Sequence, residues 1–352
     1  MRVLFLPQFN VEYSIPLCKN LAEYCDLTIA VWVKDLQQFQ FKGAELACIG
    51  GDGKFPDISH SRSLVRQVNK LKPDLVHFQA PYTWSALVAG YLGRTVVTTI
   101  HDVVPHPGRK VRLYRVALKQ HVKASAGLIV HGEKLAQQLR SKYPESSRKL
   151  IRVLPHGPLE KYCQFPVADS HDRDYFLFFG RIYAYKGIGL FLDALRISKQ
   201  SDGRGFRAVI AGAGDISEYK ERMRALDNLE VINRFITDQE AANLVAGARA
   251  VVLPYREASQ SGVISAAYAL GRPVIVTDVG ALPEAVVNER TGFIVPPDNE
   301  FALFEAMQRL NSDDELLARL ETGVERFVSD HLSWHAIAQR TSSFYRELLS
   351  LA

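Results

Sequence analysis

The stretch "VVLPYREASQSGVISAAYALGRPVIVTD" (Val251–Asp278) decides the fold, because two apolar strand-like runs flank a polar loop and a helix-like segment. A strand, a helix and a second strand in succession are typical of a parallel sheet. Pro254 ends the first strand, and a helix is predicted to start near Gly262, where free amides offer an anion site. Glu257, between them, suits hydroxyl groups such as those of a sugar better than an anion. The plainer alternative is a surface glutamate beside an ordinary serine N-cap.

Similar runs continue outward from this stretch through the whole chain. Short apolar runs from "RVLFL" to "IRVLPHG" fill the first half, and runs from "YFLFFG" to "TGFIV" fill the second. This alternation predicts an α/β fold with two doubly wound, Rossmann-like domains. Ligands bind such sheets beyond the carboxyl ends of their strands, so we expect the two domains to face each other across a cleft. The polar segment 158–174 between the two halves indicates a linker, which gives domains at residues 1–163 and 164–332.

The composition is that of an ordinary globular protein. The chain has 352 residues, of which 47% are hydrophobic and 23% charged, and no apolar run reaches the roughly 18–20 residues of a membrane span. The N-terminus "MRVLFLPQ" enters a strand without a signal-peptide pattern, which predicts a cytoplasmic location. Four irregularly spaced cysteines indicate neither a zinc site nor a disulfide framework.

Positive charge is concentrated in one segment. Residues 101–127 contain six Lys or Arg residues against one Asp. A basic, partly amphipathic helix at 109–123 would suit an anionic membrane surface, as in a peripheral protein of the inner membrane face. A solvated basic face is the alternative. The basic residues lack the interleaved aromatic residues of a nucleic-acid platform, so no nucleic-acid partner is expected.

Two further strand ends carry candidate ligand-binding residues. In "FLFFGRIYAYKGIGLFLDAL", Gly180, Arg181 and Lys186 lie between a strand and a helix, and two cations beside a helix N-terminus suit a diphosphate. In "VIAGAGDISEY", Gly212 would let the backbone approach a ligand, although a plain tight turn is equally compatible with the sequence. One of the two cations could instead be an ordinary surface residue.

In this order, "GRIYAYKG", "AGAG", "PYREASQSGV" and "GRPVIVTDVGALPE" resemble the family-4 glycosyltransferases of the GT-B fold, which are retaining nucleotide-sugar enzymes. The motifs cover most of the second half, whereas the first half resembles the family in architecture, helped by "TTIHD" and "VLPHG" at strand ends. The resemblance implies an acceptor domain at 1–163, completed by a helix at 333–352, and a donor domain at 164–332. It also implies a donor-diphosphate site formed by Gly180, Arg181, Lys186, Gly212, Ser261, Gly262, Val263 and Ile264.

Four more residues receive roles from the resemblance. Glu257 would contact the hydroxyl groups of the donor sugar, and Arg234 and Phe235 would border the base. His101, after the fifth strand, would approach the transferred sugar, although a purely structural histidine is the alternative. The implied catalytic set is therefore His101, Glu257, Arg181 and Lys186.

The sequence departs from the family pattern in two places. Ala266 stands where the family usually has a second glutamate that accepts the ribose hydroxyl groups, and a missing pair of that kind would weaken donor binding. The first loop, "LPQFNVEYSIP", lacks the glycine pair that the family often has there, which leaves the acceptor geometry open.

The resemblance implies a metal-independent, retaining hexosyltransferase in cell-surface polysaccharide or glycolipid synthesis. Its substrates would be a UDP- or GDP-linked sugar and a sugar or lipid-linked acceptor, with no cofactor and no metal. A nucleotide-sugar epimerase, a phosphorylase and a noncatalytic GT-B partner subunit remain as alternatives. The "DRD" sequence at Asp172–Asp174 mimics a metal-binding motif, but it precedes a strand and so lies at the wrong end for a site.

Overall fold

The computed structural model describes residues 1–7, 11–32, 39, 41–50, 58–103, 111–167 and 174–351. The chain divides into two compact units, which we call unit 1 (Met1–Gly157 and Ser333–Ala352) and unit 2 (Pro158–Leu332). Asp172 and Arg173 of the "DRD" sequence lie outside the described residues, while Asp174 forms an ion pair with Arg207. Cys18, Cys25 and Cys163 are free thiols.

The segment 158–163, which the sequence pattern assigns to the first domain, belongs to unit 2. The Leu159 amide donates to the Ser265 carbonyl (3.1 Å), and Tyr162 packs in an apolar cluster with Ala241 and Ala266. Apolar side chains in this polar segment therefore attach it to unit 2, so the boundary falls after Gly157.

Unit 1 is built on a parallel sheet of seven strands, as the alternating runs predict. The strand order is β3-β2-β1-β4-β5-β6-β7. The strands are β1 (Arg2–Leu6), β2 (Asp26–Trp32), β3 (Ala44–Gly50), β4 (Leu75–Phe78), β5 (Thr95–Ile100), β6 (Gly127–Val130) and β7 (Leu150–Val153).

The helices of unit 1 cover this sheet with apolar faces. They are α1 (Val11–Leu21), α2 (Ile58–Leu71), α3 (Thr83–Ala89), α4 (Val111–Ala124), α5 (Glu133–Lys142) and the C-terminal helix α12 (Trp334–Ser350), with a 3₁₀ turn at Pro144–Arg148. α12 belongs to unit 1 because Phe344, Tyr345 and Leu348 are buried in the same core cluster as Phe5 of β1 and Leu17 of α1.

Unit 2 contains the second parallel sheet, in the order β10-β9-β8-β11-β12-β13. Its strands are β8 (Tyr175–Phe179), β9 (Arg207–Ala211), β10 (Leu229–Ile232), β11 (Ala248–Leu253), β12 (Val274–Thr277) and β13 (Gly292–Val295). Its helices are α6 (Ile188–Asp202), α7 (Lys220–Arg224), α8 (Asp238–Ala246), α9 (Gly262–Ala269), α10 (Glu300–Ser312) and α11 (Asp314–Phe327), with shorter turns at Glu160–Gln164, Ala184–Lys186, Ser217–Tyr219, Pro283–Ala285 and Val328–Leu332.

Strand order places the candidate loops of unit 2 at a switch point. β8 lies between β9 and β11, so the chain leaves β8 in one direction along the sheet and returns to its other side. Ligands of open parallel sheets bind where this reversal occurs, beyond the carboxyl ends of the strands. The loops after β8 and β11 are therefore neighbours at the ligand-binding edge.

Candidate functional site

The ends of β8 and β9 approach each other without intervening side chains. Gly180 has φ 101° and its amide donates to the Ala211 carbonyl (2.9 Å). Gly212 has φ 148°, and a Cβ atom there would lie 2.1 Å from the Gly180 carbonyl oxygen. Any other residue at 212 would push the two strand ends apart, so the "AGAG" motif has a packing reason independent of a ligand.

Lys186 is a buried cation at this edge. Only 8% of the residue is exposed, and its Nζ lies 5.4 Å from the centre of the Tyr255 ring. No carboxylate among the described residues forms an ion pair with it. Burial, together with the nearby positive charge of Arg181, lowers the pKa of Lys186 to about 8. A buried ammonium normally has an anionic partner, because desolvating an unpaired charge is costly.

Arg181 is exposed, and its Nη1 donates to the Tyr183 hydroxyl (3.4 Å). The side chain therefore lies on the solvent side of the same turn that buries Lys186. The helix that follows, α6, buries an apolar face made of Ile188, Phe191, Leu192 and Leu195.

The loop after β11 is fixed to the turn that carries Lys186. The Arg256 amide donates to the Tyr185 carbonyl (2.7 Å). Gly187 adopts φ 72°, and a Cβ atom there would lie 1.7 Å from the Pro254 carbonyl oxygen. The glycine after Lys186 thus allows this loop to pass close to the turn.

The first turn of α9 borders Lys186. A Cβ atom on Gly180 would lie 3.0 Å from the Lys186 Nζ and 3.6 Å from the Val263 Cγ2. The Ser261 hydroxyl caps α9 by accepting from the Val263 amide (3.3 Å). One of the three predicted phosphate-binding amides, that of Val263, is therefore engaged by the cap.

The remaining amides of this turn differ in their partners. The Ile264 amide donates to the Ser261 carbonyl at 3.2 Å. The Gly262 amide has no hydrogen-bond partner among the described residues and stays available to an anion. Glu257, in the same loop, is exposed.

The segment after β10 holds a preformed ion pair. Arg234 donates to both carboxylate oxygens of Glu240 (3.0 and 2.6 Å), and Glu240 also completes the capping box of α8 with Thr237. These bonds lower the pKa of Glu240 to about 2. Phe235 is 78% exposed. An exposed aromatic ring beside a fixed guanidinium provides a surface on which a planar base could stack.

Ala266 lies on the buried side of α9, where it is 1% exposed in the apolar cluster with Tyr162, Ala241 and Ala242. Apolar contacts with the segment 158–165 thus occupy the position at which the family pattern places a carboxylate. No local pattern indicates this contact, because the covering residues lie about a hundred positions earlier in the chain.

His101 belongs to unit 1, just after β5. Its Nε2 lies 3.1 Å from both the side-chain nitrogen and the main-chain oxygen of Gln79. Burial and the neighbouring His131 and His156 hold the pKa of His101 well below its usual range. The imidazole is therefore neutral at physiological pH.

The structure groups Gly180, Lys186, Gly212 and the first turn of α9 at the switch point of unit 2. Sequence reasoning missed Tyr255, whose ring lies beside Lys186, and His131 and His156 of unit 1. The histidines were visible as the ends of "GLIVHG" and "IRVLPHG", at the strand termini where ligands bind.

The described part of the chain contains no group of three or more His, Cys, Asp or Glu side chains that could hold a metal ion. Within the same residues, none of the helices has the length and hydrophobicity that crossing a bilayer requires.

Comparison with known protein families covers both units. The family model described as "Glycosyltransferase Family 4" matches residues 46–157, and the model "Glycosyl transferases group 1" matches residues 173–313.

Curated relatives and solved structures agree with these matches. The D-inositol 3-phosphate glycosyltransferase of Jonesia denitrificans is 27% identical over 305 residues, which cover 75% of this chain and 70% of the relative. The O-antigen chain mannosyltransferase C of Escherichia coli is 26% identical over 282 residues, covering 74% of this chain and 72% of the relative. Two other relatives are each matched over only 46% of their own lengths. Anabaena HepE, solved in complex with UDP, superposes with a TM-score of 0.73 at 16% identity, covering 99% of this chain and 100% of HepE.

Proposed function

Because the chain belongs to the family-4 glycosyltransferases of the GT-B fold, we propose that it moves a hexosyl group from a nucleoside diphosphate sugar to an acceptor hydroxyl with retention of configuration. The observation that carries this proposal is the buried Lys186 ammonium at the switch point of unit 2, which has no carboxylate partner among the described residues. A diphosphate is the kind of anion that would compensate it.

The surroundings of Lys186 supply the other parts of a diphosphate site. Arg181 adds a second, exposed cation, and the first turn of α9, whose Val263 borders the same place, supplies the Gly262 amide. Glu257, exposed in the adjoining loop, would accept hydrogen bonds from the hydroxyl groups of the donor sugar. Arg234 and Phe235 would border the base.

The chemistry proposed here is heterolytic. The bond between the anomeric carbon and the diphosphate oxygen breaks, and negative charge develops on the diphosphate, where Lys186, Arg181 and the helix amides stabilise it. The acceptor oxygen bonds to the same face of the anomeric carbon, and its proton passes to the departing phosphate. The two side-chain cations provide the charge stabilisation, so the proposal requires no bound metal. His101, a neutral imidazole, would contact the transferred sugar.

Activity measurements test this assignment. We expect Arg181→Ala and Lys186→Ala to reduce turnover by about two to three orders of magnitude, as removal of transition-state charge stabilisation does elsewhere. Arg196→Ala is a matched control, because Arg196 is an exposed arginine on α6 that bonds to Gln200. If both site variants retain wild-type turnover, the assignment of the diphosphate site is wrong.

The donor and the reaction type can be identified in one assay. UDP-linked and GDP-linked sugars are incubated with the protein and candidate acceptors, and products are analysed by mass spectrometry. A glycosylated acceptor supports transfer, whereas an isomerised sugar nucleotide would identify an epimerase. UDP is a reasonable first ligand because HepE was solved with it.

A surface of unit 1 supports an acceptor at an anionic membrane. On α4, Leu113 and Val116 are exposed at 52% and 59%, among the exposed basic residues Arg112, Arg115, Lys119 and Lys123. α3, which packs against α4, adds Leu87, and the chain after it adds Tyr91, which is 86% exposed. We call these residues the α3–α4 face. Exposed apolar residues within a basic face are typical of helices that lie on anionic lipid. Residues 109 and 110, the start of the predicted basic helix, lie outside the described residues.

Vesicle sedimentation tests the α3–α4 face. We expect the protein to bind vesicles that contain anionic phospholipid more strongly than neutral vesicles. Leu113→Ser combined with Val116→Ser should weaken binding at constant charge, and high salt should weaken it at constant hydrophobicity. Equal sedimentation with both kinds of vesicle would exclude the membrane role.

A further inference from the structure

Three histidines occupy the carboxyl edge of the unit 1 sheet. His101, His131 and His156 follow the neighbouring strands β5, β6 and β7. Their rings are close, with centroids 4.7 Å apart for His101 and His131 and 5.5 Å apart for His131 and His156. The Tyr13 ring of α1 contacts all three, at 5.5, 5.2 and 5.0 Å. We call these four side chains the His–Tyr cluster.

Main-chain carbonyls fix two of the imidazoles in one tautomer. The His131 Nδ1 lies 3.0 Å from the Leu154 carbonyl oxygen, and the His156 Nδ1 lies 2.8 Å from that of Gly157. A carbonyl oxygen can only accept, so each Nδ1 carries the proton and donates it. In a neutral imidazole of this tautomer, Nε2 presents a lone pair.

The Nε2 of His131 is a buried acceptor without a partner among the described residues. The residue is only 9% exposed, whereas His101 and His156 are partly exposed. An unsatisfied buried acceptor destabilises the folded protein. Its place at the ligand-binding edge of a parallel sheet indicates that a ligand donor satisfies it.

Charge around the His–Tyr cluster favours a neutral ligand. Burial and the neighbouring His156 lower the pKa of His131 to about 3, and burial also lowers the pKa of His156. The negative charge of Glu12 acts on His156 as well. Neutral lone pairs beside a carboxylate repel phosphate oxygens, but they accept hydrogen bonds from O–H groups.

We propose that the Nε2 atom of His131 accepts a hydrogen bond from a hydroxyl group of the sugar acceptor. The end of the acceptor that enters unit 1 is therefore an uncharged, hydroxyl-rich sugar or polyol rather than a phosphorylated group. This inference rests on the proposed transfer reaction and adds to it the class of acceptor and the residue that recognises it.

Two substitutions separate recognition from structure. In His131→Asn, the side-chain nitrogen can replace Nδ1 as the donor to Leu154, but nothing replaces Nε2. In His131→Gln, the terminal amide reaches the Nε2 position and can offer its oxygen there. We expect His131→Asn to weaken binding of a neutral glycoside roughly fivefold, the effect of one lost neutral hydrogen bond, and His131→Gln to restore part of it. Melting temperatures of both variants equal to that of the wild-type protein would confirm that packing is intact.

The probes are the methyl glycosides of glucose, galactose and mannose, added to protein saturated with UDP, with inorganic phosphate as the charged comparison. Ring nitrogens of ¹⁵N-labelled histidine are observed by NMR, and His131→Asn identifies the His131 signals. We expect at least one glycoside to shift the unprotonated Nε2 signal of His131 saturably, and phosphate to leave it unchanged. An Nε2 signal that no glycoside moves, or that phosphate moves, would overturn the inference.

UDP binding to the same sample, measured by calorimetry, distinguishes the two levels of the proposal. Loss of the glycoside effect with intact UDP binding contradicts only the role of the His–Tyr cluster. Absence of both UDP and GDP binding contradicts the proposed donor site instead.

Discussion

Raising the pH from 7 to 9 should weaken nucleotide binding, because Lys186 loses its proton in this range. Its pKa in the free protein is about 8, against an ordinary value of 10.5. A bound diphosphate favours the charged ammonium and so raises the pKa again. The ligand therefore binds the protonated form more tightly, and affinity must fall as the pH rises through 8.

The magnitude follows from the protonated fraction. About nine-tenths of Lys186 is protonated at pH 7 and about one-tenth at pH 9. If only the protonated form binds, affinity falls about tenfold, or about 1.4 kcal/mol. The phosphate groups themselves are almost fully ionised across this range, since their second pKa is about 6.

Isothermal titration calorimetry with UDP and with GDP measures this directly. The tighter of the two nucleotides is titrated at several pH values between 7 and 9. At pH 8, repetition in buffers of different ionisation enthalpy should reveal uptake of about half a proton per nucleotide bound.

Two variants provide the controls. Lys186→Arg keeps its charge throughout, so its affinity should not vary over the same range. Arg181→Ala removes the neighbouring charge that lowers the pKa of Lys186, so the midpoint should move upward. Wild-type affinity that is constant between pH 7 and 9 would refute the role of Lys186 as a buried ammonium in the nucleotide site.

Three other changes test packing around the two sheets. Gly187→Ala should lower the free energy of unfolding by more than about 3 kcal/mol, because its Cβ would lie 1.7 Å from the Pro254 oxygen. Gly203 also has a left-handed backbone but open space around it, so Gly203→Ala should lower the free energy of unfolding by only about 1–2 kcal/mol. Equal losses for the two variants in urea unfolding would contradict the clash. Burial lowers the pKa of His77 to about 3. Below about pH 6.5, His77 therefore binds a proton in the unfolded chain but stays neutral in the folded chain. Stability should therefore fall from pH 7 to pH 5, and less so in His77→Gln; an identical loss in the variant would assign the effect elsewhere. Ala266→Glu should lower the melting temperature without tightening UDP binding, because the new carboxylate enters an apolar cluster; tighter binding would show that the position still faces the ribose.

The strands were predictable because each is a short apolar run closed by glycine, proline or a polar residue. Both sheets, with seven and six strands, follow from that pattern together with the rule for parallel α/β chains. Strand order was not encoded locally, since it depends on which helix covers which face. The resemblance to a known family supplied the residue roles, and the placement of Lys186 and Val263 beside Gly180 brings three of those residues together.

Long-range contacts explain what the sequence did not predict. The segment 158–174 is polar and contains prolines, and this composition predicts a domain boundary after Cys163. In the folded chain, Tyr162 covers Ala266, so a few apolar residues in that segment outweigh its average composition. The burial of Lys186 was also invisible, because a lysine beside a glycine gives no indication that Tyr255, about seventy residues later, lies beside its ammonium.

The two ligand-binding edges differ in charge, and this difference favours a different substrate at each edge. In unit 2, a buried ammonium and an exposed guanidinium attract phosphate. In unit 1, the His–Tyr cluster is neutral, and the nearby Glu12 is negative. On the proposed function, a nucleoside diphosphate sugar gains electrostatic energy at these cations of unit 2, while a neutral glycan gains a hydrogen bond at His131 of unit 1 without competing for them. On this proposal, the difference in charge favours binding of each substrate at its own unit. His131→Lys should erode this selectivity by making unit 1 attractive to free nucleotide, which calorimetry would register as a second, weaker UDP site.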